Sequence, residues 1–209
     1  MSKFVILFSL FFAVCQINKA QDFYYSNDVK IFREGRDKEF RDPKESPLTK
    51  EDFSLFKGLN YYSVSSKYKV KARFVKTSNE QQFEAETSNG DPRLLVKYGY
   101  LEFSLDGKTQ RLNLYQTIVP PDSSDYEDAK NTLFLPFKDL TNNEETYGGG
   151  RYMDFRLPKA NKLIVDFNLA YNPSCAYGRK YSCFLVPKEN HLNVAIKAGE
   201  KKYQYSLHK

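Results

Sequence analysis

The stretch YLEFSLDGKTQRLNLYQT, Tyr100–Thr117, decides the fold. Apolar and polar residues alternate on both sides of Asp106-Gly107, and that dipeptide has the composition a type I′ turn needs. A period of two around such a pair reads as a β-hairpin. The "DGKT" inside it, 106–109, resembles a phosphate-binding loop only superficially. Gly99 lies eight positions before Gly107 where five are required, and a strand follows where a helix should.

The same period continues outward. In "KYKVKARFVK", Tyr68, Val70, Ala72 and Phe74 alternate with Lys67, Lys69, Lys71 and Arg73. "QFEAET" alternates Phe83 and Ala85 with Glu84 and Glu86, and those acids are expected to pair across the sheet with the basic face. "NTLFLPF", "RYMDFRL", "KLIVDFN", "LNVAIKA" and "KYQYSL" complete a set of about nine short strands. The expected fold is mainly β: an antiparallel β-sandwich or a partly open barrel carrying a short, partly helical N-terminal arm.

The arm spans 21–66 and the β-rich domain 67–209. "SNDVKIFREGRDKEF" suggests one helix, weakened by Gly35. "TKEDFSLFKGL" suggests a second, capped by Thr49 with Asp52 three residues on, ending at Gly58. Residues 1–20 read as a secretory signal: Lys3, then the apolar run Phe4 to Val14, then a polar segment ending at Ala20. Lipid attachment at Cys15 is the alternative, disfavoured by Val14. The expected address is therefore periplasmic or secreted. No later run is long enough to span a membrane.

Removing residues 1–20 takes two of the 32 basic residues, Lys3 and Lys19, and none of the 26 acidic ones, leaving a formal charge of +4. That balance does not indicate a nucleic-acid partner. Cys15 leaves as well. Cys175 and Cys183, eight positions apart in an exported chain, most simply form a disulfide. A metal site from Cys175, Cys183 and His191 has spacings that match no compact zinc motif, so neither metal nor cofactor is expected. No nucleophile elbow or metalloprotease motif is present.

Two segments carry dense polar chemistry. "ETYGGGRYMDF" places Gly148–Gly150 directly before Arg151. Such a turn either satisfies a backbone need for positive φ or lets a ligand approach, with Arg151 as an anion fork. "DFNLAYNPSCAYGRKYSCFLVPKEN", residues 166–190, follows the "KLIVDF" strand. A hairpin of "RYMDFR" and "KLIVDF" through 157–161 would bring Arg151 and Asp166 to one end of a sheet.

These residues also carry a resemblance. "FKGLNYYSVSSKYKVKARF", "GYLEFSLDGKTQRLNLYQ", "FLPFKDLTNNEETYGGGRYMD", "DFNLAYNPSCAYGRKYSC" and "KENHLNVAIKAGEK" together look like the DUF1684 family of bacterial and archaeal proteins, in order from about Arg33 to Lys201. The resemblance implies no established activity. It does mark positions: Tyr147, Gly149, Gly150, Arg151, Asp166, Asn168, Tyr171, Asn172, Pro173, Cys175, Cys183, Glu189, Asn190, Gly199 and Glu200. Leu169, Phe184, Val186 and His191 depart from the family pattern, and the last removes the best nucleophile–base scheme.

The sequence thus reads as an exported binding module without a clear enzymatic signature. Its expected polar pocket sits at one rim of the sheet, built from Tyr147, Gly149, Gly150, Arg151, Asp166, Asn168, Tyr171, Asn172, Glu189 and Asn190. The partner would be a small molecule or saccharide. Two alternatives stand beside it: a glycosidase-like hydrolase using Asp166 and Glu189, and a structural envelope protein in which the polar residues only satisfy one another.

Overall fold

A computed structural model describes residues 27–178 and 181–204; the expected signal segment and Cys15 lie outside them. The fold is mainly β, as the alternation implied. Seven strands form one antiparallel sheet: β1 (Lys69–Lys76), β2 (Gln82–Ala85), β3 (Arg93–Leu105), β4 (Lys108–Thr117), β5 (Thr132–Phe137), β6 (Arg151–Arg156) and β7 (Lys162–Asp166). Their order is β6-β5-β4-β3-β1-β7, with β2 on the outer part of β3, and the sheet curls into a half-barrel. Of the two architectures expected, the partly open barrel is the one adopted.

The β3–β4 hairpin turns at Asp106 (φ 51°) and Gly107 (φ 73°), the left-handed pair of a type I′ turn. The register from Leu101↔Leu112 to Leu105↔Lys108 follows from it. Leu101, Phe103, Leu105, Leu112 and Leu114 all point into the barrel, where Val70, Phe74, Leu133, Leu135, Phe137, Val165, Phe167 and Ile196 meet them in the main core.

Tyr98 interrupts this alternation. The β3–β4 register shifts between Lys97 and Gly99, so Leu95 packs on the convex face while Leu101 packs on the concave one. A bulge of this kind adds one unpaired residue and flips the side-chain parity. Gly99 is required beside it: a Cβ there would lie 2.4 Å from the Val75 carbonyl oxygen and 2.8 Å from the Phe74 ring. The sheet consequently carries a second apolar layer of Ala85, Leu95, Tyr115, Tyr152, Phe184 and Val186 on its convex side.

Helix α1 covers 27–41 despite Gly35, and α2 (Lys50–Leu55) begins at Thr49, whose hydroxyl accepts from Asp52 N at 3.1 Å. Helix α2 ends at Leu55, a turn earlier than Gly58. Phe40 and Leu48 from this region are buried against Tyr177 and Tyr203 in a third apolar cluster. A short helix, α3 (Tyr126–Asn131), joins β4 to β5.

Three expectations are corrected. "LNVAIKA" is not a strand, because the Ile196 and Ala198 carbonyls accept from the Arg151 guanidinium and Ile196 N donates to Asp139 Oδ1. Residues 202–204 of "KYQYSL" are not a strand either, and the rest of it lies outside the described residues. Strand β2 pairs with β3 and not β1, so the basic face of β1 finds other acids: Arg73 pairs with Glu102 and Lys67 with Asp106.

Candidate ligand-binding cleft

Arg151 opens β6 after Gly150, which sits at φ 98° with Val186 and the Phe137 carbonyl where a Cβ would go. That backbone admits glycine almost alone. Strands β6 and β7 do not form the expected hairpin. They occupy opposite ends of the strand order, since β6 pairs with β5 and β7 with β1. Arg151 therefore takes a different carboxylate. Its Nη2 donates to Asp139 Oδ2 at 2.7 Å and to the Ile196 carbonyl at 2.8 Å, with both charged side chains wholly buried. Asp139 Oδ1 accepts from Thr141 N, Thr141 Oγ1 and Ile196 N. Tyr147 and Gly149 belong to the turn above, where Tyr147 O accepts from Gly150 N.

The other sequence-marked residues are placed one by one. Asp166 accepts from Asn168 N and Nδ2, and Asn168 exchanges two hydrogen bonds with the Ser65 backbone, tying the arm to the barrel. Asn190 fills a gap between β4 and β5, whose ladder consists of Tyr115↔Phe134. Its side-chain amide accepts from Asn113 N (2.8 Å) and donates to Asn113 O (3.0 Å) and Pro136 O (2.7 Å), as a peptide group would. Glu189 beside it is exposed. Asn172 gives its N and Nδ2 to Glu200, whose carboxylate also accepts from the Tyr177 hydroxyl. Glu200 is buried, and burial raises its pKa to about 7 against the pull of Tyr177, Asn172 and Arg36. Arg151, Asn168 and Asn190 are thus buried and bonded to the protein itself.

An open cleft lies instead on the convex face, over β5 and β6, with a volume of about 1030 Å³. Tyr171 and Asn172 line it, along with Arg36, Phe134, Asp154 and Phe184. One wall is the cysteine loop. Cys175 and Cys183 are disulfide-bonded, as expected, and Ser88 Oγ accepts from Cys183 N and donates to the Tyr181 carbonyl. The sheet side is an aromatic layer in edge-to-face contact: Phe134 with Tyr152 (4.6 Å) and with Phe184 (5.6 Å). The chain closes on β6 here, because Tyr152 and Tyr171 exchange backbone hydrogen bonds.

Asp154 stands in this cleft on the strand position facing Phe134. The Tyr171 hydroxyl donates to its Oδ2 at 2.5 Å. Crowding by its neighbours raises the Asp154 pKa first, and the Asp128 charge adds to the rise, while Tyr171, Arg36 and Arg156 oppose it. Arg156 pairs with Asp128 at 2.7 Å, and Arg36 lies over the Tyr171 ring at 5.1 Å. Arg36 Nε and Asn172 Oδ1, on two cleft-lining residues, are buried with no hydrogen-bond partner in the protein. Sequence reasoning missed Arg36, Asp128, Asp154 and Arg156. Alternation on "RYMDFR" puts 152, 154 and 156 on one face, but nothing local reveals that the cysteine loop folds across it. Neither Asp166 nor Glu189 lines the cleft. Among the described residues no cluster of His, Cys, Asp and Glu has the makings of a metal site, and no helix is long and apolar enough to cross a membrane.

Comparison with known proteins adds a family and a fold. The model of a family described as a protein of unknown function, DUF1684, matches residues 54–201. The solution NMR structure of an uncharacterised protein of Haloarcula marismortui is similar, with 30% identity and a TM-score of 0.66, over 88% of this chain and 96% of that one. No curated protein matches.

Proposed function

The chain belongs to the DUF1684 family, and from that premise we propose that it is an exported ligand-binding module whose ligand occupies the convex-face cleft. One observation carries the reading. Phe134, Tyr171 and Phe184 stand beside Arg36, Asp154 and Asn172 in one open, aromatic-floored cleft. A concave site with aromatic walls and a few convergent polar groups is the usual form of a small-molecule site. The cleft's size suits a small molecule or a short saccharide. Export is supported by the disulfide, which persists in oxidising compartments, and by the apolar run Phe4 to Val14 behind Lys3.

Purification of the protein from its native source, followed by native mass spectrometry, tests the reading. A co-purifying molecule released by Tyr171→Ala and Asp154→Ala is expected. A mass equal to the bare polypeptide, with no shift of cleft resonances on addition of that source's small-molecule extract, would remove the proposal. That outcome would favour the structural reading, which rests on the buried, mutually bonded set of Arg151, Asp139, Asn168 and Asn190.

A further inference from the structure

Strand β7 ends the sheet. It pairs with β1 on one side, and among the described residues no strand lies on the other. The register fixes which groups face that open edge. Phe74 N donates to Asn161 O at 2.9 Å in continuation of the β1–β7 ladder, so residues 161, 163 and 165 bond toward β1. Lys162, Ile164 and Asp166 therefore turn their backbone N–H and C=O outward. Among the described residues no backbone group bonds to Lys162 or Ile164 on that side. The edge at the other end of the strand order is engaged: Tyr171 exchanges backbone hydrogen bonds with Tyr152 of β6.

An open edge is a template for another strand. At the centre of this one Ile164 is 46% exposed on the outer face, beside a shallow furrow of about 750 Å³ that it shares with Lys71 and Arg73. Leu163, on the inner face, is half-buried at the margin of the main core.

The five residues Lys162–Asp166 are complementary to themselves. Two copies can meet antiparallel about a two-fold axis at Ile164. Ile164 then faces the partner's Ile164, Lys162 faces the partner's Asp166, and Leu163 faces the partner's Val165. The outer face gains an apolar pair flanked by two opposite-charge pairs, and the inner face gains two apolar pairs that prolong the core. Other registers lose this match. An axis at Lys162 opposes the two lysines, and one at Asp166 opposes the two acids. The intermediate registers set Ile164 against Lys162 or against Asp166. Asn168 fixes Asp166 in place through Oδ1, while Lys162 is exposed and long enough to reach across.

We propose that the chain forms a symmetric dimer by pairing β7 with β7 of a second copy in this register, which joins the two sheets into one. Such an interface is isologous. Backbone hydrogen bonds hold it, and Ile164 with the Lys162–Asp166 pairs sets the register. It uses no residue of the cleft over β5 and β6, so it stands apart from the ligand reading. The contact is small, and the dimer forms only as concentration rises.

Sedimentation of the purified chain from about 1 μM to about 1 mM tests this. The mass should rise toward twice that of the chain. Lys162→Glu, which sets two acids side by side, and Ile164→Lys should each raise the dissociation constant at least about 10-fold, with melting unchanged. A cysteine pair reads the register directly. Ile164→Cys should cross-link the dimer on mild oxidation, since facing residues of a bonded pair lie about 5.5 Å apart. Lys162→Cys should not, because its twin is about 13 Å or more away. A single-chain mass at every concentration would overturn the proposal. A dimer indifferent to both charge variants, or one cross-linked by Lys162→Cys, would do the same. Slow amide exchange at Lys162 and Ile164 in the dilute single chain would also overturn it, by showing that the chain covers its own edge.

Discussion

Arg151 and Asp139 form a salt bridge of 2.7 Å in which neither side chain reaches solvent. The pair joins the start of β6 to the loop after β5, and the guanidinium holds the carbonyls of an otherwise irregular C-terminal segment. Replacing Asp139 with Ala leaves a buried, uncompensated cation. The expected loss is about 3–5 kcal/mol, read as a drop in urea midpoint. A loss under about 1 kcal/mol would mean that the pair behaves like a surface one.

Glu200 makes stability pH-dependent. Its folded pKa of about 7 lies above the ordinary 4.5, because burial disfavours its charged form. Below about pH 4.5 it is protonated in both states, and its contribution is fully present. From about pH 4.5 to 7 the unfolded chain releases a proton that the folded one retains, so stability falls by about 3 kcal/mol and then levels off. Thermal melts across that window should show the decline in the wild type and a flatter profile in Glu200→Gln. Equal profiles would assign the pH dependence elsewhere.

Asn190→Asp is an isosteric change with a large expected cost. The carboxylate cannot donate, so Asn113 O and Pro136 O lose their partner and face a buried charge. About 3 kcal/mol or more should be lost, most of it as unpaired polar groups. Amide exchange on β4 and β5 should accelerate before that on β1 and β3. Uniform acceleration would show that the side chain does not bridge those two strands.

Reducing the Cys175–Cys183 bond frees a short loop. On the chain-entropy account the cost is about 2.5 kcal/mol. Because this loop is one wall of the cleft, reduction should also shift the resonances of Phe184 and Tyr171. A melt unaffected by reductant would show that Ser88 and the Phe184 packing hold the wall unaided.

Much of the fold was readable because period two, an Asp-Gly turn and a capped Thr49 are local signals. The hairpin and strands β1 to β7 follow from them, and the disulfide follows from two cysteines eight positions apart. The order of strands does not. "RYMDFR" and "KLIVDF" are separated by five residues, the length of a hairpin loop, yet they pair with β5 and β1 because the sheet has curled between them. The same limit misplaced the site. Arg151, Asn168 and Asn190 stand out in sequence since a buried polar network needs specific residue types at fixed positions, and a pocket imposes the same demand. Asp154 and Arg156 look like ordinary outward-facing strand residues until residues 171–174 and 181–184 are seen to line the same cleft.

Tyr98 has a consequence for how this chain tolerates changes in length. Side chains on a strand obey parity, and the extra residue is what lets odd-numbered positions 95 and 101 serve opposite faces. A deletion of one residue anywhere from 96 to 100 would remove the bulge and leave Leu95 and Leu101 an odd number of positions apart, still on opposite faces, whereas an insertion of one residue there would force one of them to the wrong side. The barrel interior and the floor of the cleft are therefore phase-locked through a single position. Substitutions in this strand are graded in their effect and a single deletion conserves the two faces, but a single insertion here compromises the core and the convex face together.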